Sequence, residues 1–305
     1  MKRSIAIVGA PSSIGIRPYD DGGPRHLDLA PGVLREQGLA VHLGAHDHGD
    51  VIPPPYRDLL RPPESRPRNE DGVESYSRAL ARRVAAAADG GAFVLVLGGD
   101  CSIVLGCLLG IREGRAPIGL AYVDAHADFA TPEESITGSA ASMCLALAVG
   151  RGDTPLARLA GEGSAAAAPL VRPADVVLIG RRDHDEPYYG HEALNASPIL
   201  DLPDAAVRER GPAGTADAAL ERLTRPGLGG FWIHLDADVV DPTVVAAVDS
   251  PTPGGPGLED LADLLTPLAL HPSALGMELT IYDPGLDPDR TSAARLASLL
   301  ERVLD

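Results

Sequence analysis

Lysine is almost absent from this 305-residue chain: Lys2 is the only one, and arginine supplies the rest of the 26 cationic side chains. Against them stand 43 aspartates and glutamates, a formal charge of −17. That sign argues against nucleic acid and anionic membrane as partners and favours a small cationic or neutral ligand. Cysteine is scarce as well. Cys101, Cys107 and Cys144 are odd in number and form no disulfide framework, which points to a reducing, cytoplasmic setting. Among the first ten residues the only apolar run is Ile5–Val8, too brief for a signal peptide or a membrane span. A soluble intracellular protein is the expectation, and 45% hydrophobic residues are enough for a substantial core.

What the chain does have is alternation. Short apolar runs at Ser4–Val8, Ala40–Leu43, Phe93–Leu97, Ile118–Val123, Val176–Ile179, Phe231–Leu235 and Leu275–Leu279 predict strands. Between them, helices are predicted over Pro31–Gln37, Val73–Ala88, Ser102–Arg112, Ala141–Val149, Ala216–Leu223, Leu258–Leu268 and Ser292–Val303. This is the pattern of βαβ units around a parallel sheet in an α/β protein. The proline-rich stretch Val51–Asn69 reads as an irregular excursion, and the alanine- and glycine-rich stretch Arg151–Pro173 as a surface helix and loop. Neither divides the chain, so one domain over residues 1–305 is expected.

Two of the strands end in carboxylates instead of turn residues. Ile118–Val123 runs into Asp124-Ala125-His126-Ala127-Asp128, and Gly230–Leu235 runs into Asp236-Ala237-Asp238. In extended chain, residues two apart face the same way, so Asp124, His126 and Asp128 converge, as do Asp236 and Asp238. Four carboxylates and an imidazole in one pocket would repel one another without cations. A metal site is the economical reading. Gly98-Gly99-Asp100-Cys101-Ser102 and Asp183-His184-Asp185 also follow strands, where α/β sheets bind their ligands, and Glu278 lies within the last strand segment.

These segments resemble the ureohydrolase family of arginases, agmatinases and formiminoglutamases over almost the whole chain. Residues 98–102 resemble its Gly-Gly-Asp-His-Ser element, with cysteine for histidine, and residues 124–128 match its Asp-Ala-His-x-Asp element. Residues 234–242 match its Ser-x-Asp-x-Asp-x-x-Asp-Pro element at all but the first position, which here is His234. The resemblance implies a single three-layer αβα domain with a mostly parallel sheet of about eight strands, assembled as a trimer or hexamer. It implies two Mn²⁺ ions, one on Cys101, Asp124, Asp128 and Asp236, the other on His126, Asp124, Asp236 and Asp238. Asp128 would also position and deprotonate the attacking water, and Glu278 would hold a cationic guanidino substrate. Thr137, Ser139, Asp183 and Asp185 fall where the family contacts the rest of the substrate. The reaction implied is hydrolysis of a guanidine or amidine C–N bond to urea or a related product.

The chain departs from the family pattern at Cys101, whose soft sulfur suits Zn²⁺ better than Mn²⁺. Ala141 stands where the family has a proton-shuttling histidine, and Ala130 where arginases contact the substrate carboxylate. Free L-arginine is therefore not the expected substrate. Two other readings compete: a degenerate homologue that binds metal or ligand without turnover, and a single-metal deacylase on the same fold. His184, His191 and His234 receive no role at this level, and each is read as structural.

Overall fold

Six of the seven apolar runs become strands, five buried from end to end and the sixth buried but for Leu275, the mark of parallel strands covered on both faces. The computed structural model describes residues 3–57, 65–161, 168–186 and 190–305. Its strands are β1 (Ile5–Gly9), β2 (His46–Asp50), β3 (Phe93–Leu97), β4 (Gly119–Val123), β5 (Val176–Ile179), β6 (Leu200–Leu202), β7 (Phe231–Asp236) and β8 (Ala274–Thr280). They form one eight-stranded sheet in the order β2-β1-β3-β8-β7-β4-β5-β6. Every pairing is parallel, and helices cover the sheet to make the expected αβα layers.

The strand order places the chemistry. β3 and β4 are consecutive in the chain yet separated in the sheet by β8 and β7, so four central strands release their carboxyl ends side by side. Cys101, Asp124, Asp236 and Glu278 belong to those four ends. Register aligns them further: Tyr122 pairs with His234, His234 with Glu278 and Glu278 with Val96, one row across the middle of the sheet.

The edges differ from expectation. Ala40–Leu43 is not a strand; Leu39–His42 is a helical turn entered through Gly38 at φ 86°. Leu39 and Leu43 are buried while Val41 is 82% exposed, which is helical spacing and not strand alternation. The strand lies just beyond, in the polar His46–Asp50, most of it exposed and braced by Arg35 on Asp47 and Asp50 at 2.7 and 2.6 Å. β6 was not anticipated either. It is a three-residue edge strand, too short to show a pattern. Its Asp201 receives Arg181 at 2.7 Å.

Residues 51–57 are irregular, as expected for the proline-rich stretch, and the remainder of that stretch is partly outside the described residues. Within Arg151–Pro173 the described part holds only a short turn, Leu156–Arg158. The helix Asp204–Leu223 is longer than predicted because it continues across a kink at Gly211-Pro212. No helix among the described residues is long and apolar enough to cross a membrane.

Gly276 shows how tightly the central strands pack. A Cβ there would strike the Val94 carbonyl and the ring of Trp232, a fully buried side chain. Gly276→Ala should therefore destabilise the protein by about 1–3 kcal/mol, the range for overpacked cores. Gly32→Ala, inside the helix Ala30–Glu36 with nothing within 4 Å, should instead stabilise by about 0.5–1 kcal/mol. Urea unfolding midpoints compare the two, and equal midpoints would refute this account of the packing.

Candidate metal centre

Each acidic segment folds back on itself as soon as its strand ends. The Asp124 carboxylate accepts the His126 amide at 2.7 Å, and the Asp236 carboxylate accepts the Asp238 amide at 2.8 Å. These small turns end the strands and aim the next side chain inward. Asp128 sits at φ 46°, a left-handed conformation uncommon for a residue with a side chain. Its carboxylate accepts the Tyr122 hydroxyl at 2.7 Å, a buried bond that holds it there. Gly99 lets the Ser12 backbone pass where any Cβ would collide, and Asp100 then accepts the Ser12 hydroxyl at 2.7 Å and the Gly15 amide at 3.1 Å. That brace fixes the loop forming one wall of the cleft.

The geometry brings the donors into two overlapping groups. Cys101 Sγ and one ligand atom each from Asp124, His234 and Asp236 lie within 4.8 Å of one another, as do those of Asp124, His126 and Asp238. Asp124 belongs to both. All six residues are buried. His126 Nδ1 donates to Asp238 at 3.1 Å and approaches Asp124 at 3.5 Å, while Thr252 Oγ1 stands 3.3 Å from His126 Nε2. The Cys101 thiol donates to Asp236 at 2.8 Å.

Charge in this pocket is strained toward neutrality. Burial, then the neighbouring acids, push Asp236 above the ordinary carboxylate range; burial likewise raises Asp238 and Asp128. Burial would raise Asp124 too, but His126 and His234 beside it outweigh burial and hold Asp124 low. Burial would lower both imidazoles, yet the carboxylates win. His126 is driven well up by Asp238 and Asp124, and His234 rises to about 10 through Asp124 and Glu278. Cys101 is pushed well up by burial and by Asp236, so without a cation it is a thiol. Protons are thus favoured on the donors of the metal-free pocket other than Asp124. The donor set of carboxylates, imidazoles and one sulfur fits divalent cations, which would take the place of those protons.

The predicted site residues separate into three sets. Cys101, Asp124, His126, Asp128, Asp236 and Asp238 all line one cleft of about 170 Å³, together with Thr137, Ser139 and Ala141. Asp183 lies behind it, accepting the Ala127 amide at 2.8 Å and Arg181 at 3.1 Å, so it braces the Asp124–Asp128 loop. Asp185 is exposed and does not line the cleft. Glu278 is fully buried beneath His234, whose Nδ1 donates to it at 2.7 Å, and it does not reach the cleft wall.

Three participants were missed. The one signal for His234 was its place two residues before Asp236 on the same strand, which gives it the same face; its partners on the neighbouring strands left no mark in the sequence. Arg17 and Arg25 are on the cleft wall, brought there by an irregular loop whose path no local pattern specifies. Arg25 pairs with Asp249 and covers the Tyr19 ring at 4.2 Å.

A family model described as Arginase family matches residues 3–304. The chain belongs to the arginase family. It is 27% identical to an arginase of Staphylococcus aureus (strain COL) over 98% of this chain and 96% of that protein. It is 28% identical to the arginase of Bacillus subtilis (strain 168) over 94% and 88%. Among solved structures, arginase from Bacillus caldovelox superposes with a TM-score of 0.85 at 28% identity, covering 99% of this chain and 98% of that one. The proclavaminate amidino hydrolase of Streptomyces clavuligerus, at 18% identity and a TM-score of 0.73, shares the fold. This arginase-family chain is thus a homologue of metal-dependent ureohydrolases.

The pocket electrostatics set a pH dependence. His234 is raised from an ordinary 6.5 to about 10, so its contribution to the metal-free fold is complete below pH 6.5 and lost as pH rises through about 10. The raised carboxylates act with the same sign, since the folded chain again holds protons that the unfolded chain releases. Metal-free protein should therefore lose stability steadily from pH 6.5 toward 10, while Mn²⁺, which competes with those protons, should stabilise it more at each step. Thermal unfolding with Mn²⁺ and with chelator across that range measures the gap. A gap that does not widen with pH would refute it.

Proposed function

We propose that this chain is a two-metal hydrolase that cleaves a C–N bond of a small guanidino or amidino compound, releasing urea or a related product. The observation that carries the reading is the pair of buried donor groups sharing Asp124 at the carboxyl edge of the sheet. Cys101, Asp124 and Asp236 would hold one ion and His126, Asp124 and Asp238 the other, while Asp128, expected as a ligand of the first, lies outside both donor groups. Donors dominated by carboxylate oxygen suit Mn²⁺, and the sulfur shifts preference toward Zn²⁺. Such a pair of cations, when bound, makes water nucleophilic at neutral pH and stabilises charge developing on the scissile group.

The protein's own groups do the rest. Asp128 lines the cleft with one oxygen tied to the Tyr122 hydroxyl, which leaves the other free to orient water and carry its proton to the departing amine. Thr137 and Ser139 face the same space, and their hydroxyls can orient the remainder of the substrate. Ala141 and Ala130 are buried methyl groups and can hold or move no proton. Proton transfer is left to Asp128, and the carboxylate contact expected at residue 130 is missing. A substrate with an activated carbon or a better leaving group, such as an N-hydroxylated or acylated guanidine, fits such a site better than free L-arginine.

The decisive experiment is a screen of guanidino compounds with Mn²⁺-loaded chain, read as urea release. Turnover of at least one compound with about two ions bound per chain is expected, and Asp124→Asn should reduce both to background. Activity that survives Asp124→Asn would refute the reading. The kcat/KM for L-arginine should fall at least about tenfold below that of the best compound, a difference of roughly 1.4 kcal/mol. Arginine matching the best compound would show that Ala130 and Ala141 do not set specificity.

A further inference from the structure

His234 is wholly buried, yet its Nε2 has no hydrogen-bond partner. Everything else about the ring is fixed. Nδ1 donates to Glu278 at 2.7 Å, and one face stacks on Tyr122 with centroids 4.1 Å apart and planes 18° from parallel. The arrangement follows from register, because Tyr122, His234 and Glu278 occupy one row of the sheet. The unpartnered nitrogen points into the group formed with Cys101, Asp124 and Asp236.

Its nearest carboxylate oxygen is Asp124 Oδ2, at 3.8 Å. That is too long for a hydrogen bond. It does match the separation of two donors around one four-coordinate ion such as Zn²⁺, the ion the Cys101 sulfur favours, since bonds of about 2.1–2.3 Å at tetrahedral angles put their ends roughly 3.4–3.8 Å apart. An imidazole held through one nitrogen by a carboxylate, with the other nitrogen left open, is the arrangement that orients metal-bound histidines. On this side of the pocket His234 is the only nitrogen donor among the described residues, since the remaining donors are the Cys101 sulfur and two carboxylates.

We propose that His234 Nε2 is a ligand of the ion on the Cys101 side, and that Glu278 positions this ligand and does not touch substrate. The assignment rests on the two-metal reading above and adds two residues to it. It also moves Glu278 from recognition to metal support. A substrate cation must then be met by other groups of the cleft, of which Asp128 and Asp249 are the acids not placed as ligands.

Metal binding by the whole chain tests the assignment without reference to turnover. Equilibrium dialysis against Mn²⁺ should give about two ions per wild-type chain. His234→Ser should leave one tight site and weaken the other by at least tenfold. Glu278→Gln should weaken that same site by about 10–100-fold, the usual effect of removing a carboxylate behind a ligating histidine. Cys101→His in the His234→Ser background should recover occupancy, because it returns an imidazole to the same ion from the end of β3, two strands away. A wild-type crystal grown with Mn²⁺ covers the case in which these variants fail to fold: anomalous scattering should place an ion within about 2.2 Å of His234 Nε2. Two ions bound by His234→Ser with wild-type affinity, or an ion out of bonding reach of Nε2, would overturn the assignment alone. Wild-type chain that takes up no metal would overturn the two-metal reading beneath it.

Discussion

Removing charge from water is the constraint around which this molecule is built. Asp124, Asp128, Asp236 and Asp238 are buried at one edge of the sheet among aliphatic strands, where an unbalanced carboxylate costs several kcal/mol. The fold offers two means of balance. Protons can occupy the acids and both imidazoles, as the raised titrations of Asp236, His126 and His234 indicate. Cations can occupy the same atoms instead, at the expense of those protons. The site is therefore a competition between proton and metal, and its surroundings must leave both outcomes structurally possible. Braces placed outside the competing atoms do this: Asp183 on the Ala127 amide, Asp100 on Ser12 and Gly15, and Tyr122 on Asp128.

Much of this was legible in the amino-acid sequence, and for a definite reason. Fully buried parallel strands read as unbroken apolar runs, so β1, β3, β4, β5, β7 and β8 announce themselves. Acids placed where such a run ends have no structural excuse, which exposed Asp124, Asp128, Asp236 and Asp238. The edges were harder. β2 is polar because half-open edge strands need no apolar face, and its pairing comes from backbone and from Arg35. Ala40–Leu43 misled because a short apolar run cannot be told from a buried helical turn by composition. His234 was hidden differently. A histidine within an otherwise apolar strand looks like a satisfied core residue until its partners across two neighbouring strands are known.

Family membership and local chemistry answer different questions here. Identity of 27–28% over nearly the whole chain fixes the architecture and the kind of site. It does not fix the ligand set, since Cys101, Ala141 and His234 all differ from the motifs that define the resemblance. Two of those differences face each other across strand ends. Cys101 follows β3 and His234 lies on β7, with β8 between them, yet both present donors to one group of four. A motif comparison takes each position separately and registers a loss at Cys101 and an oddity at His234. Placed on the sheet, the two substitutions exchange an imidazole between neighbouring positions around the same point in space.

That exchange has a consequence for recognition. An imidazole introduced in mid-strand must have its second nitrogen satisfied, and the register leaves only Glu278 in the adjoining position on β8. The carboxylate is drawn under the ring and removed from the cleft. The cleft wall gains Arg17 and Arg25 from the loop after β1, and of these Arg25 is engaged by Asp249 and the Tyr19 ring. The cleft lining thus sets two arginines against five aspartates, Asp124, Asp128, Asp236, Asp238 and Asp249. If His234 holds an ion as proposed, the change reaches Glu278 through one hydrogen bond, and donor set and specificity would change together.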